Sequence, residues 1–338
     1  MFGALKALRR EPQRTSASPP QVVNAGAWLQ REEAIMGTAI NVVLWCDDRA
    51  QGEAAMDAVM AEMHRIDRTM SPHRPDSALS RINQLAYDEP VPLSDEMYRL
   101  LTRAQAFSAL SEGAFDITYA AVGQLYDYRA GTRPSPEALA QARAAVGYQH
   151  LKLDAPARTV RFGMPGMRID LGGFAKGHAV DNAAAILRTH GIAHAHVSAG
   201  GDSRVIGDHR GRPWSIGIRD PRRPGEMVAV LPLQDVSIST SGDYERYFDV
   251  DGERCHHLID PATGLSPRSV HSVTILADDG LTTEALSKSL FVLGLSKGMA
   301  LIESQPGVDA IVVDAQGALH FSSGLMAAPT QRSGAVQA

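Results

Sequence analysis

Residues Arg168–Asp202 read RIDLGGFAKGHAVDNAAAILRTHGIAHAHVSAGGD, and the fold of the chain is read outward from them. The apolar run Met167-Arg168-Ile169-Asp170-Leu171 predicts a strand that stops at Gly172-Gly173. Val180, Ala183, Ala184 and Leu187 then recur at helical spacing, and Gly191 stands at the C′ position that ends a helix. Ile192–Ser198 alternates as a second strand and runs into Ala199-Gly200-Gly201-Asp202. Such a unit builds a pocket. Its glycines admit a ligand close to the backbone, and the helix N-terminus offers N–H groups to an anion.

Upstream, Thr38–Trp45 alternates as a strand and Ala50–Met70 is a helix with Val59, Met63, Ile66 and Met70 near one face. Residues 71–77 form a loop holding two prolines, and Ser77 or Ser80 caps a short turn. Ser94 caps a further helix that ends at Gly113. Ser135-Pro136-Glu137 opens another that closes at Gly147. His150–Leu153 and Thr159–Phe162 suit a hairpin. Downstream, Trp214–Ile218 pairs with Met227–Leu233. Val236–Thr240 is a strand, and Tyr244–Val250 and Glu253–Ile259 flank an Asp251-Gly252 hairpin turn. Val270–Ala277 is a strand, Thr282–Leu293 a helix closed by Gly294, and Val308–Asp314 with Ala318–Ser322 a last hairpin. Meanders mixed with helices predict an α+β fold of mixed or antiparallel sheets with packed helices.

The chain has 338 residues, 44% hydrophobic and 21% charged, an ordinary globular composition for one large domain or two. A formal charge of -5 gives no support for nucleic-acid binding, and two distant cysteines, Cys46 and Cys255, make no disulfide framework. The basic N-terminus lacks an apolar core of useful length. No signal peptide, lipobox or membrane span is therefore expected, and a cytoplasmic location is. Residues 1–30 are expected to be a flexible lead-in, 31–326 the folded unit and 327–338 a flexible tail.

Several residues invite chemistry. Asp170 before two glycines can accept a ligand's hydrogen bonds, or can simply be a turn aspartate. Lys176 sits in the first turn of its helix, where the dipole disfavours a cation, which suggests an anionic partner; a solvated lysine is an equally simple reading. His257, in His256-His257-Leu258-Ile259-Asp260-Pro261-Ala262-Thr263-Gly264, can serve as a general base or be a surface histidine. His194 and His196 could be a metal pair, but without a third ligand nearby the simpler reading is structural. Glu284, Ser287 and Lys288 share a helix face, and their spacing alone reads as an ordinary ion pair.

Taken in order, these motifs resemble the FAD:protein FMN transferase (ApbE) family over roughly Ile35–Ser322. The matching pieces are Met36-Gly37-Thr38, the loop from Ser71 to Asn83, Ala114-Phe115-Asp116 and Asp170-Leu171-Gly172-Gly173-Phe174-Ala175-Lys176-Gly177. Gly200-Gly201-Asp202, Ser239-Thr240-Ser241-Gly242-Asp243-Tyr244, the His257–Gly264 run and Ala285-Leu286-Ser287 complete the set. The resemblance implies a fold related to the T-fold and a reaction. FMN moves from FAD to a Ser or Thr hydroxyl of an acceptor protein, AMP leaves, and Mg²⁺ assists. It implies FAD contacts at Met36, His73, Ala114, Phe115, Asp116, Asp170 and Lys176, and His257 as the base. It implies a metal site at the Gly173 carbonyl, Glu284, Ser287 and the position of Lys288.

The chain departs from the family pattern twice. His73 stands where the family usually has Tyr, and His can stack in its place. The family's late helix reads A-D-A-L-S-T with Asp and Thr as metal ligands, whereas Thr283-Glu284-Ala285-Leu286-Ser287-Lys288 stands here. Glu284 keeps a hard oxygen ligand, but Lys288 is a donor-only cation. Three arrangements follow: Lys288 turned aside from Mg²⁺ on Glu284, Ser287 and Gly173; Lys288 replacing part of the metal's charge; or flavin binding without transfer. Hydrolysis of FAD to FMN and AMP is the enzymatic alternative, and a non-catalytic flavin-delivery protein the other.

Overall fold

The computed structural model describes residues 26–326. The chain opens with β1 (Ala27–Ile35) and β2 (Thr38–Cys46), paired along their whole length. Met36 and Gly37 between them both have positive φ, 55° and 70°, the turn geometry that matches the twist of a hairpin. Helices α1 (Arg49–Met70) and α2 (Ala78–Leu85) follow, capped by Asp48 and Ser77. Next come β3 (Val91–Pro92), α3 (Asp95–Leu110) capped by Ser94, α4 (Ala120–Gly123) and α5 (Pro136–Arg143) capped by Ser135. The hairpin of β4 (Leu151–Asp154) and β5 (Thr159–Phe162) leads to α6 (Ala175–Thr189), β6 (Ala195–Ala199) and β7 (Asp202–Ile206). A hairpin of β8 (Trp214–Arg219) and β9 (Met227–Leu233) precedes β10 (Ser237–Gly242), and β11 (Tyr247–Val250) pairs with β12 (Glu253–His256). The chain closes with β13 (Val270–Ala277), α7 (Gly280–Glu303), β14 (Asp309–Asp314), β15 (Leu319–Phe321) and α8 (Ser323–Met326).

Eight strands form one sheet in the order β1-β2-β6-β7-β10-β13-β14-β15, antiparallel at every pairing. Helices α1, α6 and α7 pack on it and on one another. Ile40, Val42 and Leu44 from β2, Ala195 and Val197 from β6, and Val273 and Ile275 from β13 bury their alternate side chains there. Met56, Val59, Met63 and Ile66 of α1 and Val180, Ala183 and Leu187 of α6 meet them. Each of the larger ones (Val, Ile, Leu, Met) contributes about 1.5–3 kcal/mol on burial. The expected α+β class holds.

Helix α7 has 24 residues and is long and apolar enough, by length and composition alone, to cross a membrane. Its packing against β10, β13 and α6 accounts for that apolarity. Gly294 breaks it at φ 76°, as expected, yet helix resumes beyond and runs to Glu303 because Gly298 and Ile302 still face the core.

Three expectations need correction. Met167–Leu171 is extended and buried but pairs with no strand. The Asn83 side chain accepts from the Ile169 N–H and donates to the Ile169 carbonyl, and the Asp170 N–H donates to Ile117. Its backbone is thus satisfied without a ladder. The helix opened by Ser135 stops at Arg143, short of Gly147. Ordered structure also begins before residue 31, because β1 carries residues 27–30 in register with β2. The expected lead-in before residue 26 and the tail from 327 lie outside the described residues.

Candidate functional site

The N-termini of α6 and α7 meet at two glycines. A Cβ on Gly177 would lie 2.2 Å from the Gly280 carbonyl oxygen, so neither position admits a side chain. The contact lets each helix cap the other. The buried Glu284 carboxylate of α7 accepts the Gly177 N–H through Oε2 at 2.6 Å. Asp181 of α6 accepts the Gly280 N–H at 2.8 and 2.9 Å. Phe174, at the N-cap of α6, makes no side-chain cap of its own, so Glu284 supplies one from across the core.

Two ammonium groups converge on Glu284. Lys176 Nζ lies 2.7 Å from Glu284 Oε1, 3.1 Å from Asp202 Oδ2 and 2.9 Å from the Gly172 carbonyl. An ammonium has three hydrogens, and here all three face protein acceptors. The two carboxylates outweigh the burial that would lower the Lys176 pKa, and raise it above the ordinary lysine value. The anionic partner implied by the position of Lys176 is therefore the protein itself.

Lys288 Nζ reaches the Glu284 carbonyl at 3.2 Å and Glu284 Oε1 at 3.4 Å. Those two acceptors leave one hydrogen unassigned. Burial pulls its pKa down, against the pull of Glu284 and Asp202. Its stem crosses Gly173, where a Cβ would fall 2.7 Å from Lys288 Cε.

Ser287 is fully buried. Its hydroxyl donates to the Glu284 carbonyl at 3.0 Å and stands 2.9 Å from Ser241 Oγ and 3.2 Å from Ser239 Oγ. Ser239 in turn donates to Asp202 Oδ1 at 2.6 Å. This hydroxyl chain bolts α7 to β10 and holds the second carboxylate beside Lys176.

Asp170 and His257 act electrostatically on the same surroundings as this cluster. Asp170 accepts the Gly172 N–H in a tight turn, the plain reading of its position, and one oxygen remains. Tyr119 is close enough to Asp170 that this carboxylate, then burial, holds its phenol well above the ordinary value. Arg246 and Glu284 act on the same ring, and Arg246 also approaches Gly37 beside Met36. Burial, with help from His256, Lys288 and Arg246, pushes the His257 imidazole down to about 3. Its Nδ1 is buried without a partner. His257 is therefore neutral at physiological pH and able to accept a proton.

Other expected contacts are placed differently. Asp116 is buried and internally engaged, accepting from the Thr118 N–H and hydroxyl and the Tyr148 N–H at 2.7–2.8 Å. Burial raises its pKa against those bonds. The Phe115 ring packs between Phe107 and Phe174 in the core, and Ala114 donates to the Ser111 carbonyl. His73 is exposed on the loop 71–77. His194 bonds Asp208, while His196 packs by Trp214, and burial pushes its pKa down to about 4. They do not converge on a metal, and among the described residues no group of three His, Cys, Asp or Glu side chains does. Sequence reading missed Asp202 as a partner of Lys176, and it missed Tyr119 and Arg246. The only signal was the misplaced charge of Lys176.

The ApbE family profile matches residues 36–312. The chain is 34% identical to the FAD:protein FMN transferase of Treponema pallidum, over 88% of this chain and 87% of that protein. It is 33% identical to a Klebsiella pneumoniae protein of the same name over 80% of each. Among solved structures, the ApbE protein of Thermotoga maritima superposes with a TM-score of 0.83 at 34% identity, covering 89% of this chain and 98% of that one. Flavin transferase ApbE from Vibrio cholerae gives 0.80 at 29% identity, covering 89% and 99%.

Proposed function

This chain belongs to the ApbE family, and from that membership we propose that it transfers FMN from FAD to an acceptor protein, at a Ser or Thr hydroxyl, with release of AMP. The hydroxyl oxygen bonds to the phosphorus on the FMN side. The bond from that phosphorus to the bridging oxygen breaks, AMP leaves with the electron pair, and the hydroxyl proton passes to a base. One observation carries the reading: the family profile spans residues 36–312, a range that includes His257 with its buried, unpartnered Nδ1.

His257 takes the hydroxyl proton, and its unpartnered Nδ1 and low basicity keep it deprotonated until substrate arrives. Lys288 faces the pyrophosphate, and Asp170, Tyr119 and Met36 border the nucleotide. Asp116 acts at a distance by holding the Thr118 and Tyr148 backbone, and Lys176 by holding Glu284 and Asp202 in place.

The Mg²⁺ implied by the family resemblance was tested against the donors present, and they do not fit it. Magnesium demands octahedral oxygen ligands. Glu284 spends one oxygen on two ammonium groups and the other on Gly177. Ser287 donates its hydrogen to the Glu284 carbonyl and keeps its oxygen lone pairs facing Ser241 and Ser239, so the misfit rests on the two ammonium groups at Glu284. Lys288 brings no lone pair.

Incubation with FAD and a flavin-acceptor domain, followed by denaturing electrophoresis, tests the reading. A fluorescent acceptor band is expected. FMN and AMP formed beside an unlabelled acceptor would replace transfer by hydrolysis.

A further inference from the structure

We propose that the ammonium of Lys288 is the resident cation of this site, standing in for the divalent metal, so that this protein needs none to neutralise the pyrophosphate. The inference rests on the transferase reading above. Three observations carry it.

First, Lys288 is anchored rather than free. Its nitrogen is held by the carbonyl and the carboxylate of Glu284, one helical turn away. Its stem lies against Gly173, where an added Cβ would fall 2.7 Å from Lys288 Cε. The same glycine, expected from the resemblance to lend its carbonyl to a metal, lies beside the lysine stem.

Second, the charges close without a metal. Lys176 and Lys288 balance Glu284 and Asp202, all four within one connected network. A divalent ion beside Glu284 would meet two ammonium groups that already occupy Oε1, and like charges at such range repel strongly in a buried site.

Third, the two lysines divide the work. Lys176 spends three hydrogens on the protein, whereas Lys288 spends two. As the bridging bond breaks, negative charge gathers on the departing AMP phosphate. The third hydrogen of Lys288 is a fixed donor for that charge. An ammonium supplies one charge where Mg²⁺ supplies two, so the chemistry is slower than metal-assisted transfer.

Manganese binding read by electron paramagnetic resonance tests the inference without relying on turnover. The full chain and a Lys288→Thr variant are titrated with Mn²⁺, with and without FAD, and FMN transfer is followed in EDTA and in Mg²⁺. The expected result has no protein-bound Mn²⁺ for the natural chain, bound Mn²⁺ for Lys288→Thr, and natural-chain transfer in EDTA within about twofold of its rate in Mg²⁺. Saturable Mn²⁺ binding by the natural chain, or EDTA-abolished transfer restored by Mg²⁺, overturns it. So does a Lys288→Thr variant that gains no metal. Absence of transfer under all conditions would count against the transferase reading alone, because the Mn²⁺ signal still decides what Lys288 does.

Discussion

Lys176 Nζ meets Glu284 Oε1 at 2.7 Å across 108 residues of sequence, and Glu284 caps the helix that carries Lys176. A buried carboxylate is tolerated because two cations and a backbone N–H surround it. Glu284→Ala would leave Lys176 and Lys288 facing each other with one carboxylate fewer. It should destabilise the fold by about 3 kcal/mol or more. Urea unfolding measures this, and a loss under 1 kcal/mol, within the usual range of exposed pairs, would show the network to be incidental.

The division of labour between the lysines predicts opposite phenotypes. Lys176→Met strips both carboxylates of their closest cation, so its loss should fall chiefly on stability. Lys288→Met leaves Glu284 with Lys176 and Gly177, so its loss should fall on FAD affinity, by roughly tenfold, equivalent to 1.4 kcal/mol. Flavin fluorescence titration beside urea unfolding separates the two. Equal effects of both variants on both measurements would refute the division.

Gly177→Ala places a methyl group 2.2 Å from the Gly280 carbonyl oxygen. The two helix N-termini must part, loosening both cross-caps. A cost of about 1–3 kcal/mol is expected, read as a lower midpoint in thermal or urea unfolding. A midpoint unchanged from the natural chain would mean that the close approach is not required.

Three histidines are held neutral by burial. His257 is lowered to about 3, His196 to about 4, and His256 is lowered as well. An unfolded chain protonates all three near pH 6.5, while the folded chain refuses those protons. Stability is therefore fully present above pH 6.5 and declines as pH falls toward the folded values. Each histidine contributes a slope of about 1.4 kcal/mol per pH unit in that window. Urea unfolding at about pH 7.5, 6 and 5, on either side of the ordinary imidazole value of about 6.5, should show the decline, and His196→Leu should lessen it. A flat profile would contradict the burial argument.

Much of the fold was legible because it is locally patterned. The α1 stripe, the Ser77, Ser94 and Ser135 caps, the Asp251-Gly252 turn and the Gly191 stop all carry their signals within a few residues. Strand β1 was not seen, because Arg31-Glu32-Glu33 interrupts its apolar run while Arg31 pairs with Glu53 and Asp57 on α1. Met167–Leu171 looked like a strand because apolarity marks burial, not pairing, and Asn83 does the pairing instead. The site was legible in part. Asp170 and His257 stood out locally, but the network of Lys176, Asp202, Glu284 and Ser287 depends on contacts between distant segments. No periodicity can pair them. Family resemblance located the positions, yet it assigned Lys176 and Ser287 to ligands, and the geometry gives their hydrogen bonds to the protein.

The most direct test of the account is the mass of a flavin-acceptor protein after incubation with this chain and FAD. The expected product is an acceptor heavier by one FMN less water, joined at a Ser or Thr, with AMP released in equal amount. An acceptor of unchanged mass, with FAD either intact or split to free FMN and AMP, would contradict it.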